Sequence, residues 1–101
     1  MAAVRIGGLL ERAVERWGAG NQVRAARIVG EANLILGKLF GEDIGRYARI
    51  VAYRRGELQC DSDSPSASMA VRQREGQLLD ELRNKFPNAR FDRVQLRNGT
   101  Y

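Results

Sequence analysis

Residues 46–65, RYARIVAYRRGELQCDSDSP, constrain the fold more than any other stretch of the chain. RYARIVAYR (46–54) is rich in β-branched and aromatic side chains with partial alternation, the pattern of a strand. Arg55-Gly56 is a tight turn, and ELQCD (57–61) is the returning strand of a hairpin. Leu58 and Cys60 fall on one face of that strand, and Glu57, Gln59 and Asp61 on the other. DSDSP then ends the strand and starts a helix. Ser64 is a natural N-cap, and Pro65 stands at the first helical position, where its missing N–H costs nothing. Asp61 and Asp63 lie beside the positive helix N-terminus. A hairpin feeding directly into a capped helix leaves few architectures, because the helix has to bury its apolar stripe against the strands.

The helix is predicted over Pro65 to about Lys85, with Ala67, Val71, Leu78, Leu79, Leu82 and Phe86 on its apolar stripe. Pro87-Asn88 breaks it. RFDRVQLR (90–97) reads as a third strand, with Val94 and Leu96 on one face and Arg93, Gln95 and Arg97 on the other. Two helices are predicted before the hairpin. Ile6, Leu9, Leu10, Ala13, Val14 and Trp17 recur at helical spacing, and Gly18 and Gly20 end that helix. Asn21 caps a second helix over 22–40, with Val23, Ala26, Val29, Ala32, Leu36 and Leu39 or Phe40 inward. The expected order is α-α-β-β-α-β, an α+β fold in which helices cover one face of a small three-stranded mixed sheet. A right-handed crossover is expected to bring the third strand beside the first. The 101 residues suffice for one domain. Residues 1–20 are read as an N-terminal helical arm, and 21–101 as the domain proper.

The chain carries 17 Lys+Arg against 12 Asp+Glu, and only Lys38 and Lys85 are lysines. Arginine forks match phosphate and carboxylate geometry, so an anionic partner, nucleic acid or an acidic protein surface, is one reading, and arginine richness that reflects genome composition alone is the other. With no histidine and only Cys60, the chain has neither a Cys/His metal set nor a His base. No catalytic constellation, cofactor motif or metal site is expected. The carboxylate pairs Asp61/Asp63 and Asp80/Glu81 have structural readings, at a helix N-terminus and on a solvated helix face. Cys60 reads as a small buried hydrophobe. No leader or membrane-spanning run is visible, and a cytoplasmic location is expected.

If the helices cover the face bearing Ile50, Leu58, Cys60, Val94 and Leu96, the open face carries Tyr47, Arg49, Tyr53, Gln59, Arg93, Gln95 and Arg97. Arginines interleaved with tyrosines suit phosphate contact plus base stacking. Arg54 and Arg55 at the hairpin tip are placed to grip a phosphate backbone. Arg24/Arg27 and Arg72/Arg74 form further basic pairs, the latter with Glu75 as an alternative partner. Leu10 and Trp17 on the first helix are candidates for docking a protein partner or a second copy, as a monomer or weak oligomer.

The segment from about Val29 to Leu96 resembles the DciA family of bacterial replicative-helicase operators. The carrying residues are ARIVAYRRGELQCDSDSPSASMA, VRQREGQLLDELRNKF and FDRVQLR, with Gly56, Leu58 and Cys60 in the turn and return strand, Ser64 and Ser66 at the helix start, and the pair Leu78-Leu79. The resemblance implies a K-homology (KH)-like fold and a non-enzymatic role in DNA replication, binding the replicative helicase and single- or double-stranded DNA. The Gly-x-x-Gly loop usual in KH modules has no counterpart, since Gly76 stands alone. An RNA-binding KH-like module and an adaptor without nucleic-acid binding are the competing readings.

Overall fold

The computed structural model describes residues 19–98. The first predicted helix, with Leu10 and Trp17, lies outside the described residues. Helix α1 runs Ala19–Phe40. Its buried side chains, Ile28, Ala32, Ile35 and Leu36, follow an i, i+4, i+7, i+8 spacing that faces the sheet. This face is rotated from the expected one. Val23 is 60% exposed and Ala26 is exposed, because the long aliphatics Ile28 and Ile35 take the inward positions. Gly41, at φ 100°, ends the helix in a conformation that favours glycine, and its N–H bonds Gly37 O at 2.8 Å. A short 3₁₀ turn, Glu42–Arg46, leads to strand β1 (Ala48–Arg54). Arg55 (φ 51°) and Gly56 (φ 83°) form the hairpin turn, both left-handed as a type I′ turn requires, and β2 runs Glu57–Ser62.

The junction after β2 is built as the sequence suggests. The Ser64 hydroxyl accepts from the Ala67 N–H at 3.1 Å, and Pro65 starts helix α2 (Pro65–Gln73). Ser62, fully buried, bonds Ser68 and donates to the Arg97 carbonyl at 3.3 Å, tying the corner to the last strand. The helix expected as one rod is two. Arg74, at φ −106° and ψ 9°, separates α2 from α3 (Glu75–Lys85). The break turns Glu75 and Arg72 toward strand β3 (Arg93–Asn98), where both bond the Val94 backbone. Gly76, beside the break, weakens the local helix preference.

The sheet order is β1-β2-β3, with β1 antiparallel to β2 and β2 parallel to β3. The third strand therefore pairs with the second, not with the first as expected. The reason lies at the edges. The free edge of β1 is occupied at Ile50 by the Asn33 side chain of α1, which accepts from the Ile50 N–H and donates to the Ile50 carbonyl, both at 2.9 Å. The edge of β2 opposite the hairpin is open to the returning chain. The far edge of β3 is closed in the same manner. The Glu75 carboxylate accepts from the Val94 N–H at 2.6 Å, and Arg72 donates to the Val94 carbonyl at 2.9 Å. Each edge strand thus has one residue whose outward N–H and C=O are both satisfied by helix-borne side chains, which discourages pairing with another chain.

The core joins Ile28, Ile35 and Leu36 of α1 to Ile50, Leu58, Cys60 and Val94 of the sheet and to Val71, Leu78 and Leu82 of α2 and α3. Phe91, which the strand reading passed over, is buried, with its ring 5.5 Å from Tyr53 and 6.4 Å from Phe86. No helix among the described residues is long and apolar enough to cross a membrane.

Candidate nucleic-acid interface on the open sheet face

Register decides what the uncovered face carries. Between Ile50 and Ala52 the β1–β2 register shifts, with Val51 as the extra residue of a β-bulge. Before the bulge Arg49 faces Asp61, and after it Ala52 faces Gln59 and Arg54 faces Glu57. With the parallel β2–β3 register, three rows cross the open face: Arg49–Asp61–Arg97, Ala52–Gln59–Gln95 and Arg54–Glu57–Arg93. The charged rows lie about 13 Å apart along β2, four residues at roughly 3.3 Å each. The small Ala52 side chain leaves a shallow depression between them, lined by Ala52, Arg54, Arg55, Glu57, Gln59 and Gln95.

The same bulge corrects one expectation. Tyr53 pairs with Leu58, not with an open-face residue, and so joins the helix-covered side. Its ring packs on Phe91 and its hydroxyl donates to the Arg90 carbonyl at 2.6 Å. The extra residue reverses the alternation, and Tyr53 is not a base-stacking surface. The run of apolar residues Ile50-Val51-Ala52, which interrupts strict alternation, was the only trace of this in the sequence. Tyr47 precedes β1, is 50% exposed, and accepts from the Asp63 N–H at its carbonyl, 2.8 Å away.

Of the expected arginines, Arg49, Arg54, Arg93 and Arg97 do share the open face, and Arg55 stands at its end. Their electrostatic states differ. Arg93 Nε donates to Glu57 at 2.8 Å and Arg97 Nε to Asp61 at 3.0 Å. Among the described residues Arg49, Arg54 and Arg55 make no ion pair. The unneutralised charge therefore lies along β1 and the hairpin tip. That tip is held in place: the Gly56 carbonyl accepts from the Asp92 N–H at 2.6 Å, and a Cβ on Gly56 would meet Asp92 Oδ2 at 2.7 Å. Glu57 and Asp61, which the sequence reading did not connect to any arginine, become visible as partners only once β3 is known to pair with β2.

The other basic pairs are used elsewhere. Arg72 bridges Glu75 and Val94, Arg74 donates to Gln77 at 3.2 Å, and Arg27 lies over the Phe86 ring, 5.8 Å from its centroid. Cys60 is buried among aliphatics. Burial pushes its thiol up to about 11, an Arg49 backbone hydrogen bond opposes this, and the Asp61 charge adds to it. A protonated, enclosed thiol is no nucleophile at neutral pH. Asp80 is engaged by Arg83 at 2.8 Å on an exposed helix face. Among the described residues no three His, Cys, Asp or Glu side chains are grouped to hold a metal ion.

No curated protein matches the chain. The sequence model of a family described as "Dna[CI] antecedent, DciA" matches residues 9–96, nearly the full length. It takes in the hairpin, the capped corner, both helices after it and the last strand to Leu96. The chain therefore belongs to the DciA family, replication accessory proteins linked to helicase loading and not a known enzyme family.

Proposed function

We propose that this chain is a non-enzymatic replication accessory protein that binds the replicative helicase and holds DNA on its open sheet face. The observation that carries the DNA reading is the charge of that face: four arginines against two carboxylates, with Arg55 adding a further cation at the tip. With Tyr53 turned to the helix-covered side, the face has no central aromatic for base stacking. The contact is then to phosphates and independent of sequence. The α-β-β-α-α-β order suits a KH-like module, and the break between its paired helices, at Arg74 between Gln73 and Glu75-Gly76, lacks the Gly-x-x-Gly loop. Nucleic acid is accordingly assigned to the sheet and not to that turn. Family membership supports helicase binding, and Leu10 and Trp17 are the residues proposed to meet the helicase.

The test is a titration of labelled single-stranded DNA at several salt concentrations. Wild-type protein should weaken steeply with salt. Arg54→Glu with Arg55→Glu should lower affinity at least tenfold for every sequence and reduce the salt slope by about 1.4, two contacts at roughly 0.7 each. Unchanged binding would remove the hairpin tip from the interface. A matched RNA strand run as competitor separates the DNA and RNA readings. Calorimetric titration against the helicase, with Leu10→Asp/Trp17→Ala as the second arm, tests the protein contact. Saturable binding lost in that variant is expected, and no heat with the wild type would refute it.

A further inference from the structure

The two charged rows share a feature that net charge hides. In each row the acid sits on the central strand with an arginine on both sides: Asp61 between Arg49 and Arg97, and Glu57 between Arg54 and Arg93. Among the described residues each acid is paired with the β3 arginine alone, Glu57 to Arg93 at 2.8 Å and Asp61 to Arg97 at 3.0 Å. Both carboxylates are less exposed than their partners: the Glu57 side chain is 32% exposed against 65% for Arg93, and Asp61 13% against 49% for Arg97. The acids are therefore fixed in the floor of the face while the guanidiniums lie above them. The side-chain amide of Gln59 lies against the Arg97 guanidinium as well.

We propose that Glu57 and Asp61 act as a built-in brake on this face, holding Arg93 and Arg97 out of phosphate contact and keeping its grip on single-stranded nucleic acid weak. This rests on the reading of the open sheet as the DNA surface. A guanidinium already paired with its own carboxylate neutralises no phosphate and so releases no condensed cation from the strand, and a phosphate approaching it meets the carboxylate as a like charge. The working contacts are then Arg49, Arg54 and Arg55. Three single-strand contacts give a salt slope of about −2, whereas five would give about −3.5. A weak grip suits an accessory protein that has to engage DNA and then release it.

The experiment uses the full chain and a fluorescein-labelled oligo-thymidine of roughly 20 nucleotides, long enough to span the footprint of one small single-strand-binding domain. Binding is followed by anisotropy across a salt series. Glu57→Gln/Asp61→Asn should bind about tenfold tighter at low salt with a slope steeper by about 1.4. Glu42→Gln/Asp43→Asn, the same charge change in the 3₁₀ turn before β1, should change both far less. Arg93→Gln/Arg97→Gln added to the amide variant should erase the gain, because the two guanidiniums that the amides release are then gone. If the amide variant binds no better than the wild type, or no better than the 3₁₀-turn control, the brake is overturned while the sheet-face reading stands. If neither wild type nor amide variant binds, both fail. If only the amide variant binds, the brake is upheld and the wild-type reading falls. Thermal melts check folding, and should the double variant unfold, Glu57→Gln alone is expected to show half the change in slope.

Discussion

Asn33 is the position where one side chain is expected to matter most for its size. Its amide accepts from the Ile50 N–H and donates to the Ile50 carbonyl, both at 2.9 Å, and also donates to the Val29 carbonyl at 3.1 Å. Ile50 is fully buried and lies on an edge strand, so no other strand can take over these bonds. Asn33→Ala leaves one N–H and one C=O without partners, at roughly 1–3 kcal/mol each when shielded from water. Asn33 is itself only half-buried, which lets solvent relieve part of this, and alanine is a better helix former by up to about 0.7 kcal/mol. The net expectation is a loss of about 2–3 kcal/mol, a large share of what a small domain has. Asn33→Asp keeps the acceptor for the Ile50 N–H but sets a carboxylate oxygen against the Ile50 carbonyl, and should cost at least as much. Urea unfolding followed by circular dichroism measures both variants, and hydrogen exchange at the Ile50 amide reports the edge directly. An Asn33→Ala protein within about 0.5 kcal/mol of wild type, with that amide still protected, would show that the edge does not depend on the side-chain bridge.

Three further outcomes follow from the same contacts. Burial pushes the Glu75 carboxyl up, but the Val94 N–H and Arg72 outweigh it and hold the group below the ordinary carboxylate value. Its contribution to stability is therefore full above the unfolded carboxyl value of about 4.3 and is lost as pH falls through the folded one. Urea midpoints between pH 7 and 3, a window chosen to bracket that carboxyl range, should drop in the wild type and drop less steeply in Glu75→Gln. Gly30 and Gly37 lie inside α1 with nothing within 4 Å of an added Cβ, so Gly30→Ala and Gly37→Ala should each stabilise by about 0.5–1 kcal/mol in urea unfolding. Gly56→Ala should do the opposite. Its φ of 83° and the Asp92 carboxylate 2.7 Å from the new Cβ predict a loss of about 1–2 kcal/mol, read as a melting point lower by roughly 5–10 °C, together with weaker DNA binding through the displaced hairpin tip.

Local chemistry was enough to read much of this molecule. The Arg55-Gly56 turn, the Ser64 cap, Pro65 at the first helical position and the burial of Cys60 all follow from preferences acting over a few residues. The resemblance to the DciA family was legible too, because the hairpin, corner and last strand keep their order and spacing. Four features depended on contacts distant in the chain. The orientation of α1 turned on which aliphatic face the sheet would accept, and Ile28 and Ile35 won over Val23 and Ala26. The split at Arg74 exists because Glu75 and Arg72 find a partner in Val94, some 20 residues on. The third strand lies on β2, and the free edge of β1 is taken at Ile50 by the Asn33 side chain. The bulge at Val51 moved Tyr53 from the open face to the helix-covered side, where it packs against the core. Composition and periodicity thus determined that the chain makes a basic, helix-covered hairpin module with arginines on its strands. Tertiary structure alone decided which arginines are free to act, since pairing with Glu57 and Asp61 depends on the register of β3 against β2, and register is a property of the assembled sheet and not of any strand within it.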